Sequence, residues 1–561
     1  MEEVQRLSGR AGVVGYSVVR GKRIRLRLEL SRRFPAILPS VFLEPWDALG
    51  FIPHIGKDGK ICYVADDDGL VVDRRRPLDL LTTAHKHAVG VLRRRGSDET
   101  ADSFAQEFES YWALLDELTT IVSLVESDER MRTIIWAQAN KSSDRKSCLA
   151  ENEAQIERYL SGQKVGGDYT VRNALYVPLK REARITPPRH DRPFWGISKL
   201  QSIVWKNIHN NDKKKLWRLS NKCSSQNGII LLGLPKPDGT RSLVGLSFTH
   251  NDKGHPLIKG SSIEALQPIY ISRRDQGFLV PRGGGNENLS EKSVLIVGCG
   301  AVGGRLAFGL AQAGILRLTL VDPDKLLPEN TFRHVLGRLA WGKDKVRALK
   351  TMLELQMPYM RLEAINGSIE SALAAGTVDI ADFDLVIFAT GSPTTELEMN
   401  ERVCLSLNSP PAIHTWLEPY GIGGHALLAG NAHEGACFEC LYQDPDHGPP
   451  YNRASFAAPG QSFGKTVSGC GSLFTPYGAA DATRTSNLAV RLAVDVLIGR
   501  EKRNPLLSWK GRSDAFEAAG FELSHRYAQT EQQLYDLRYA FAAADCPVCQ
   551  KVSSNGEVEG Q

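Results

Sequence analysis

Two kinds of chemistry-bearing residue stand out in this chain: glycines placed to approach a phosphate, and cysteines placed to react or to hold a metal. Gly298-Cys-Gly-Ala-Val-Gly-Gly304 is a G-x-G-x-x-G turn with Gly298, Gly300 and Gly303 at its fixed positions. Glycines there let main-chain N–H groups reach a phosphate, and a helix starting at the turn adds free N–H groups and a favourable dipole. Downstream, Asp322-Pro-Asp324 puts a carboxylate where a ribose hydroxyl would lie. Asn330-Thr-Phe-Arg333 and Trp341-Gly-Lys-Asp-Lys345 follow. A hydride-transfer site needs a flat pocket and little positive charge beyond the pyrophosphate, which makes a dehydrogenase the weakest reading. Arg333, Lys343 and Lys345 instead suit a triphosphate about to be attacked.

The ten cysteines sort by context. Cys437-Phe-Glu-Cys440 and Cys546-Pro-Val-Cys549 are two C-x-x-C knuckles, the set that a closed tetrahedral zinc site requires. Their separation would let one metal staple the end of the chain to the nucleotide region. Two redox pairs are the competing reading, without a thioredoxin-like context to favour it. Cys470 lies in Ser468-Gly-Cys-Gly-Ser472, where flanking glycines predict an exposed thiol upstream of a long amphipathic helix. Such a thiol is a competent nucleophile. Cys62 closes Pro53-His-Ile-Gly-Lys-Asp-Gly-Lys-Ile-Cys62. Cys299, inside the phosphate turn, is expected only to pack, and Cys148, Cys223 and Cys404 carry no signal.

The elements that must position these groups are legible in part. Ser293 to Val297 and Leu316 to Val321 read as buried parallel strands, and Leu306 to Ala313 as the helix after the turn. Tyr16 to Leu30 alternates apolar and basic residues, as antiparallel strands with one wet face do. Phe34-Pro-Ala-Ile-Leu-Pro39 and the strand Val41 to Glu44 follow. Apolar residues at three- and four-residue steps predict helix from Asp102 to Asn140. Glu151 to Ser290 mixes strand signals with basic segments, and Lys213-Lys-Lys215 reads as a solvated charge run.

Composition bounds the class. At 561 residues the chain exceeds one core, and 42% hydrophobic with 24% charged residues are values of a soluble globular protein. A net charge of +5 over this length predicts no general nucleic-acid binding. No apolar run approaches a membrane span, and no secretory signal is seen, so a cytoplasmic location and no membrane partner are expected.

The order glycine turn, D-x-D, N-x-x-R, G-K-x-K resembles the ubiquitin-activating enzyme family with its ThiF and MoeB relatives. The stretch from the alternating strands through F-P-x-x-x-P to a histidine before G-x-I-C resembles ubiquitin-conjugating enzymes. Fused in one chain, the two resemble the ligases of bacterial CBASS antiphage operons. The resemblance implies an α/β protein in four parts: an amino-terminal conjugating-like α+β domain (1–125), a mixed linker domain (126–285), a Rossmann-like ThiF-type adenylation domain with a zinc site (286–550) and a disordered tail (551–561). It also implies ATP, Mg2+ and Zn2+, with phosphates over Gly298, Gly300 and Gly303, ribose on Asp322, and Asn330, Arg333 and Lys345 on the triphosphate. Cys470 and then Cys62 would carry a thioester from the carboxyl terminus of a CD-NTase (a cyclic-oligonucleotide synthase) or a ubiquitin-like protein to target lysines. A homodimer is expected.

Two positions depart from the family. Gly391 replaces the usual magnesium-binding aspartate, so that either another acid such as Asp324 holds the metal or adenylation is impaired, and Gly56 replaces an asparagine that steadies the oxyanion. A sulfur-carrier adenylyltransferase of ThiF or MoeB type, or a non-catalytic scaffold binding the synthase, are the alternative readings.

Overall fold

The computed structural model describes residues 4–6, 11–64, 73–93, 97–139, 147–162, 169–261, 263, 265–406, 408–431, 435–443, 451–466 and 473–549. The proposed tail 551–561 and Cys470 lie outside them. The chain divides into two compact units, Met1–Asp275 and Gln276–Gln561.

The first unit opens with an antiparallel sheet in the order β1 (Val4–Arg6), β2 (Gly12–Val19), β3 (Lys22–Glu29), β4 (Ser40–Glu44). Alternation along β3 buries Ile24, Leu26 and Leu28 and leaves the basic residues between them outside. The buried face packs on helix α1 (Pro77–Arg93) through Ala84, Ala88 and Leu92. Helices α2 (Ser97–Gln106) and α3 (Phe108–Trp112) follow.

The helical reading of Asp102 to Asn140 holds only as far as Trp112. Beyond it, β5 (Thr119–Ser123) and β6 (Arg132–Ala139) are strands. The β-branched runs Thr119-Thr-Ile-Val and Thr133-Ile-Ile favour a pleated surface, and they overrode the apolar spacing. Leu115 and Leu118 still pack against the core that the helical spacing pointed to.

These strands belong to a closed seven-stranded barrel with β7 (Ser147–Ala150), β8 (Tyr169–Pro178), β9 (Ser225–Pro235), β10 (Arg241–Gly254) and β11 (Ala265–Arg273). Its interior is filled by Ile121, Ile134, Tyr176, Leu231 and Ile269 among others. Helices α4 (Glu153–Gly162), α5 (Ile197–Asn207) and α6 (Lys213–Lys222) lie in its connections. The indole N–H of Trp112 donates to the Ile269 carbonyl (2.9 Å), tying α3 to the barrel.

The second unit begins with α7 (Gln276–Arg282) and is organised by a seven-stranded sheet. Its elements in chain order are β12 (Ser293–Val297), α8 (Ala301–Ala313), β13 (Arg317–Val321), α9 (Lys345–Gln356), β14 (Arg361–Ile365), α10 (Ile369–Ala374), β15 (Leu385–Phe388), α11 (Pro393–Leu405), β16 (Ala412–Leu417) and β17 (Gly423–Ala429). A ribbon of β18 (Lys465–Thr466) and β19 (Leu473–Phe474), then α12 (Ala479–Leu497) and β20 (Leu506–Lys510), complete the set used below. The sheet order is β14-β13-β12-β15-β16-β17-β20. Pairs from β14 to β16 are parallel and the last two antiparallel. Strand β12 is flanked by β13 and β15, so the crossovers diverge at its carboxyl end, where such sheets bind ligands. Helix α8 ends at Gly314 (φ 105°), a left-handed position that glycine takes without strain.

Candidate nucleotide, thiol and metal sites

The phosphate turn leaves the carboxyl end of β12. Gly298 has φ 89°, and a Cβ there would lie 2.5 Å from the Ala389 carbonyl oxygen. A Cβ on Gly303 would lie 1.9 Å from the Gly298 carbonyl oxygen, so α8 can approach the turn only with glycine there. Gly300 caps α8 and faces open space. The turn is therefore tight on the protein side and open on the side where a ligand would sit.

Asp322 is buried, and its carboxylate accepts from the N–H of Cys299 (2.6 Å) and of Asp324 (2.8 Å). Lys345 lies 2.7 Å from Asp324 and 3.8 Å from Asp322. The structure thus brings Asp322, Asp324 and Lys345 together beside the glycines. Asn330 accepts from the Leu327 N–H (3.1 Å), and the Arg333 guanidinium stands over the Tyr477 ring at 5.2 Å. Gly391 has φ 68° with no neighbouring atom within 4 Å of a Cβ built there. Beside it, Thr390 donates through its hydroxyl to the buried Glu396 (2.7 Å), whose other oxygen meets His414 (3.3 Å).

One supporting residue escaped the sequence reading. His334 is buried, its Nε2 lies 2.8 Å from the Cys299 carbonyl oxygen, and its Nδ1 accepts from the Leu336 N–H. Those two partners fix a neutral imidazole protonated on Nε2, which then donates to the carbonyl. Burial also pushes the His334 pKa down, which keeps the ring neutral. Only the N-x-x-R motif one residue earlier hinted at it.

The four knuckle cysteines converge. The sulfurs of Cys437, Cys440, Cys546 and Cys549 all lie within 4.8 Å of one another. Cys437 and Cys546 are 3.7 Å apart, and Cys440 and Cys549 3.5 Å. A tetrahedral zinc with Zn–S bonds near 2.3 Å needs sulfurs about 3.8 Å apart, so the residues fit the ion. The Asn400 amide donates to Cys437 Sγ (3.5 Å) and accepts from the Phe438 N–H (3.0 Å), supporting the first knuckle from α11.

Cys62 is exposed at the end of a short hairpin. Its N–H donates to the His54 carbonyl (2.8 Å), and Ile55 bridges Ile61. Its thiol opens on a cavity of about 990 Å³ whose far wall comes from Glu107, Ser110, Tyr111 and Leu114. His54 Nδ1 lies 2.8 Å from Glu107 Oε1, and the Ile55 N–H donates to the Tyr111 hydroxyl oxygen (3.3 Å). At Gly56, an added Cβ would stand 3.2 Å from Asp58 Oδ1, so a longer side chain there would have to displace Asp58. Cys470 lies between β18 and β19, outside the described residues, and it is not placed.

Residues 1–121 match the prokaryotic E2 family B, and residues 276–490 match the ThiF family. The chain is 26% identical over 471 residues to the ATP-dependent ubiquitin transferase-like protein Cap2 of Pseudomonas aeruginosa, covering 80% of each chain. A Cap2 of Escherichia coli is 23% identical over 538 residues, covering 89% of this chain and 86% of that one. The Xenopus laevis adenylyltransferase and sulfurtransferase MOCS3 is 31% identical over 222 residues, covering 38% of this chain and 46% of that one. No helix among the described residues is long and apolar enough to cross a membrane.

Proposed function

We propose that this chain, a ubiquitin transferase-like enzyme that fuses a prokaryotic E2 domain to a ThiF-family adenylation domain, activates a partner protein's terminal carboxylate with ATP and passes it by two thioesters to target lysines. The observation that carries the reading is the exposed Cys62 on its cavity, in a chain that also holds a phosphate turn at a sheet switch point. A sulfur-carrier adenylyltransferase would need the second of these and leave the first without a task.

In the first step, N–H groups around Gly298, Gly300 and Gly303 meet the phosphates, Asp322 takes the ribose, and the triphosphate is met by the Asn330 amide and the cationic Arg333 and Lys345. The partner's carboxylate attacks the α-phosphate, forming an acyl-adenylate with pyrophosphate as leaving group. The Cys470 thiolate then displaces AMP, and the Cys62 thiolate displaces Cys470 from the acyl group. A lysine amine finally displaces Cys62. Each step exchanges one activated acyl leaving group for another, so no second nucleotide is consumed.

Asp324 is the acid beside the phosphate turn that would hold Mg2+ in place of the residue missing at Gly391. Lys345 already engages that carboxylate, so Mg2+ would have to share it with Lys345. The cysteine tetrad would hold Zn2+ as a structural staple between the 437–440 turn and the chain's end. Phe332 and Leu339 are 96% and 87% exposed, and the expected homodimer would cover them with a second copy.

By analogy with the Cap2 relatives and the CBASS resemblance, the carboxylate belongs to a CD-NTase, with a ubiquitin-like protein as the other candidate. ATP–pyrophosphate exchange tests this. Exchange should appear with an intact CD-NTase and vanish when its last residues are removed. Exchange with neither the synthase nor a ubiquitin-like protein would leave the scaffold reading, which Gly391 favours.

A further inference from the structure

The cavity beside Cys62 contains a carboxylate that the relay described above does not use. Glu107 sits at the start of α3, with its side chain 29% exposed, and it lines the same cavity as Cys62. His54 Nδ1 holds Oε1 at 2.8 Å. His54 Nε2 is buried with no hydrogen-bond partner among the described residues, so the ring's one fixed polar contact is to Glu107. A second acid, Asp58, also lines the cavity, but it spends an oxygen on the N–H of Lys60 (3.1 Å) within its own exposed turn.

The wall that carries Glu107 is built for rigidity. Phe108 and Trp112 of α3 are almost wholly buried, and the Trp112 indole is tied to the barrel. Tyr111, one turn on from Glu107, is buried and receives the Ile55 N–H, so the hairpin bearing Cys62 is joined to the same short helix. Burial, and secondarily the Glu107 charge, push the Tyr111 phenol well above its ordinary value, so it stays protonated.

An acyl group on Cys62 is attacked by lysine only as the neutral amine, whereas a lysine reaches the cavity as an ammonium. We propose that Glu107 is the group that receives this ammonium and accepts its proton, with His54 positioning the carboxylate. The role rests on the reading of Cys62 as an acyl carrier. The proton moves from lysine Nζ to a Glu107 oxygen, and the amine forms a bond to the thioester carbonyl carbon. The C–S bond then breaks, and the second proton leaving nitrogen goes to the Cys62 thiolate. The products are an amide, a free Cys62 thiol and one proton, returned from Glu107 to water.

The test bypasses the adenylation domain. The full chain carrying Cys470→Ala is charged at Cys62 with a short glycine-terminated peptide thioester, and intact mass follows discharge by free lysine and by hydroxylamine. Hydroxylamine is already neutral at pH 7 and needs no proton acceptor. Glu107→Gln, which keeps an oxygen for His54, should slow discharge by lysine by about tenfold or more at pH 7. The deficit should shrink as pH rises toward the lysine pKa, and the hydroxylamine rate should be unchanged. Asp58→Asn should behave as the parent. Equal rates with lysine for Glu107→Gln and the parent would overturn the proposal. So would an equal loss with both nucleophiles, which marks a structural role. If Cys62 accepts no acyl group from the thioester, the carrier reading falls and this role with it. Failure of ATP-driven charging alone, with discharge intact, would count against the adenylation step and leave Glu107 in place.

Discussion

At the nucleotide turn the groups aimed at a ligand are main-chain N–H groups, and the parts that hold them are buried. Gly298 and Gly303 close to within atomic contact of their neighbours, while Asp322 and His334 grip Cys299 from two sides. At the Cys62 cavity the aimed groups are side chains from a hairpin and a short helix, and the reactive sulfur is exposed. On the proposed function, the difference follows from what each site would receive. Phosphates are small, always charged and alike, so a fixed backbone cradle serves every turnover. A thioester carrier must take an acyl group from one protein and offer it to the lysines of others, which demands access and leaves selectivity to the cavity wall.

The comparison can be broken most decisively at Cys62. Cys62→Ala should abolish transfer to target lysines and leave ATP–pyrophosphate exchange within about twofold of the parent, because the exposed thiol supports no packing. A concurrent loss of exchange would show that the two sites are not separate catalytic centres.

Next in size is the turn. Gly303→Ala should lower exchange by about a hundredfold or more, about 2.7 kcal/mol, and lower the Tm, because its Cβ would overlap Gly298. Gly300→Ala meets open space and should leave the Tm unchanged. Equal Tm values for the two variants would refute the tight-turn account.

A smaller effect is expected at the cysteine tetrad. Cys437→Ser should lose bound zinc by elemental analysis and lower the Tm of the ThiF-containing unit by about 5 °C or more, while peptide discharge from Cys62 is unaffected. Full stability with no metal bound would argue against a structural ion.

The smallest concerns Asp384, before β15. Burial raises its pKa, but hydrogen bonds from Lys292 (2.8 Å) and the Ser293 N–H (2.8 Å) outweigh it and hold the carboxyl below 3.8. A depressed folded pKa means the contribution is complete above that ordinary value and fades as pH falls through the folded one. Both partners are about a third exposed, so Asp384→Asn should cost no more than about 1 kcal/mol at pH 7 by denaturant titration. The cost should fade as pH falls below the ordinary carboxylate range.

What could be read without coordinates follows the same division. The phosphate turn, its strands and the paired knuckles are local patterns whose spacing is their geometry, and the glycines and cysteines announce them. The constellation around Cys62 joins residues 53 and 56 positions apart, His54 to Glu107 and Ile55 to Tyr111, and no periodicity links them. The barrel was illegible for a related reason. Strand β5 pairs in parallel with β11, far along the chain, and such pairing leaves no turn signal between partners. His334 likewise acts through a ring buried behind the turn, where a lone histidine gives no pattern to follow.

The central claim is that one chain carries both thioester steps, and intact mass spectrometry under non-reducing conditions tests it most directly. The parent, Cys470→Ala and Cys62→Ala would each be mixed with ATP, magnesium and a candidate CD-NTase. The account predicts an ATP-dependent adduct on Cys470 that persists in Cys62→Ala, and an adduct on Cys62 that is absent in Cys470→Ala. An adduct reaching Cys62 without Cys470, or no ATP-dependent adduct and no AMP from the parent, would contradict it.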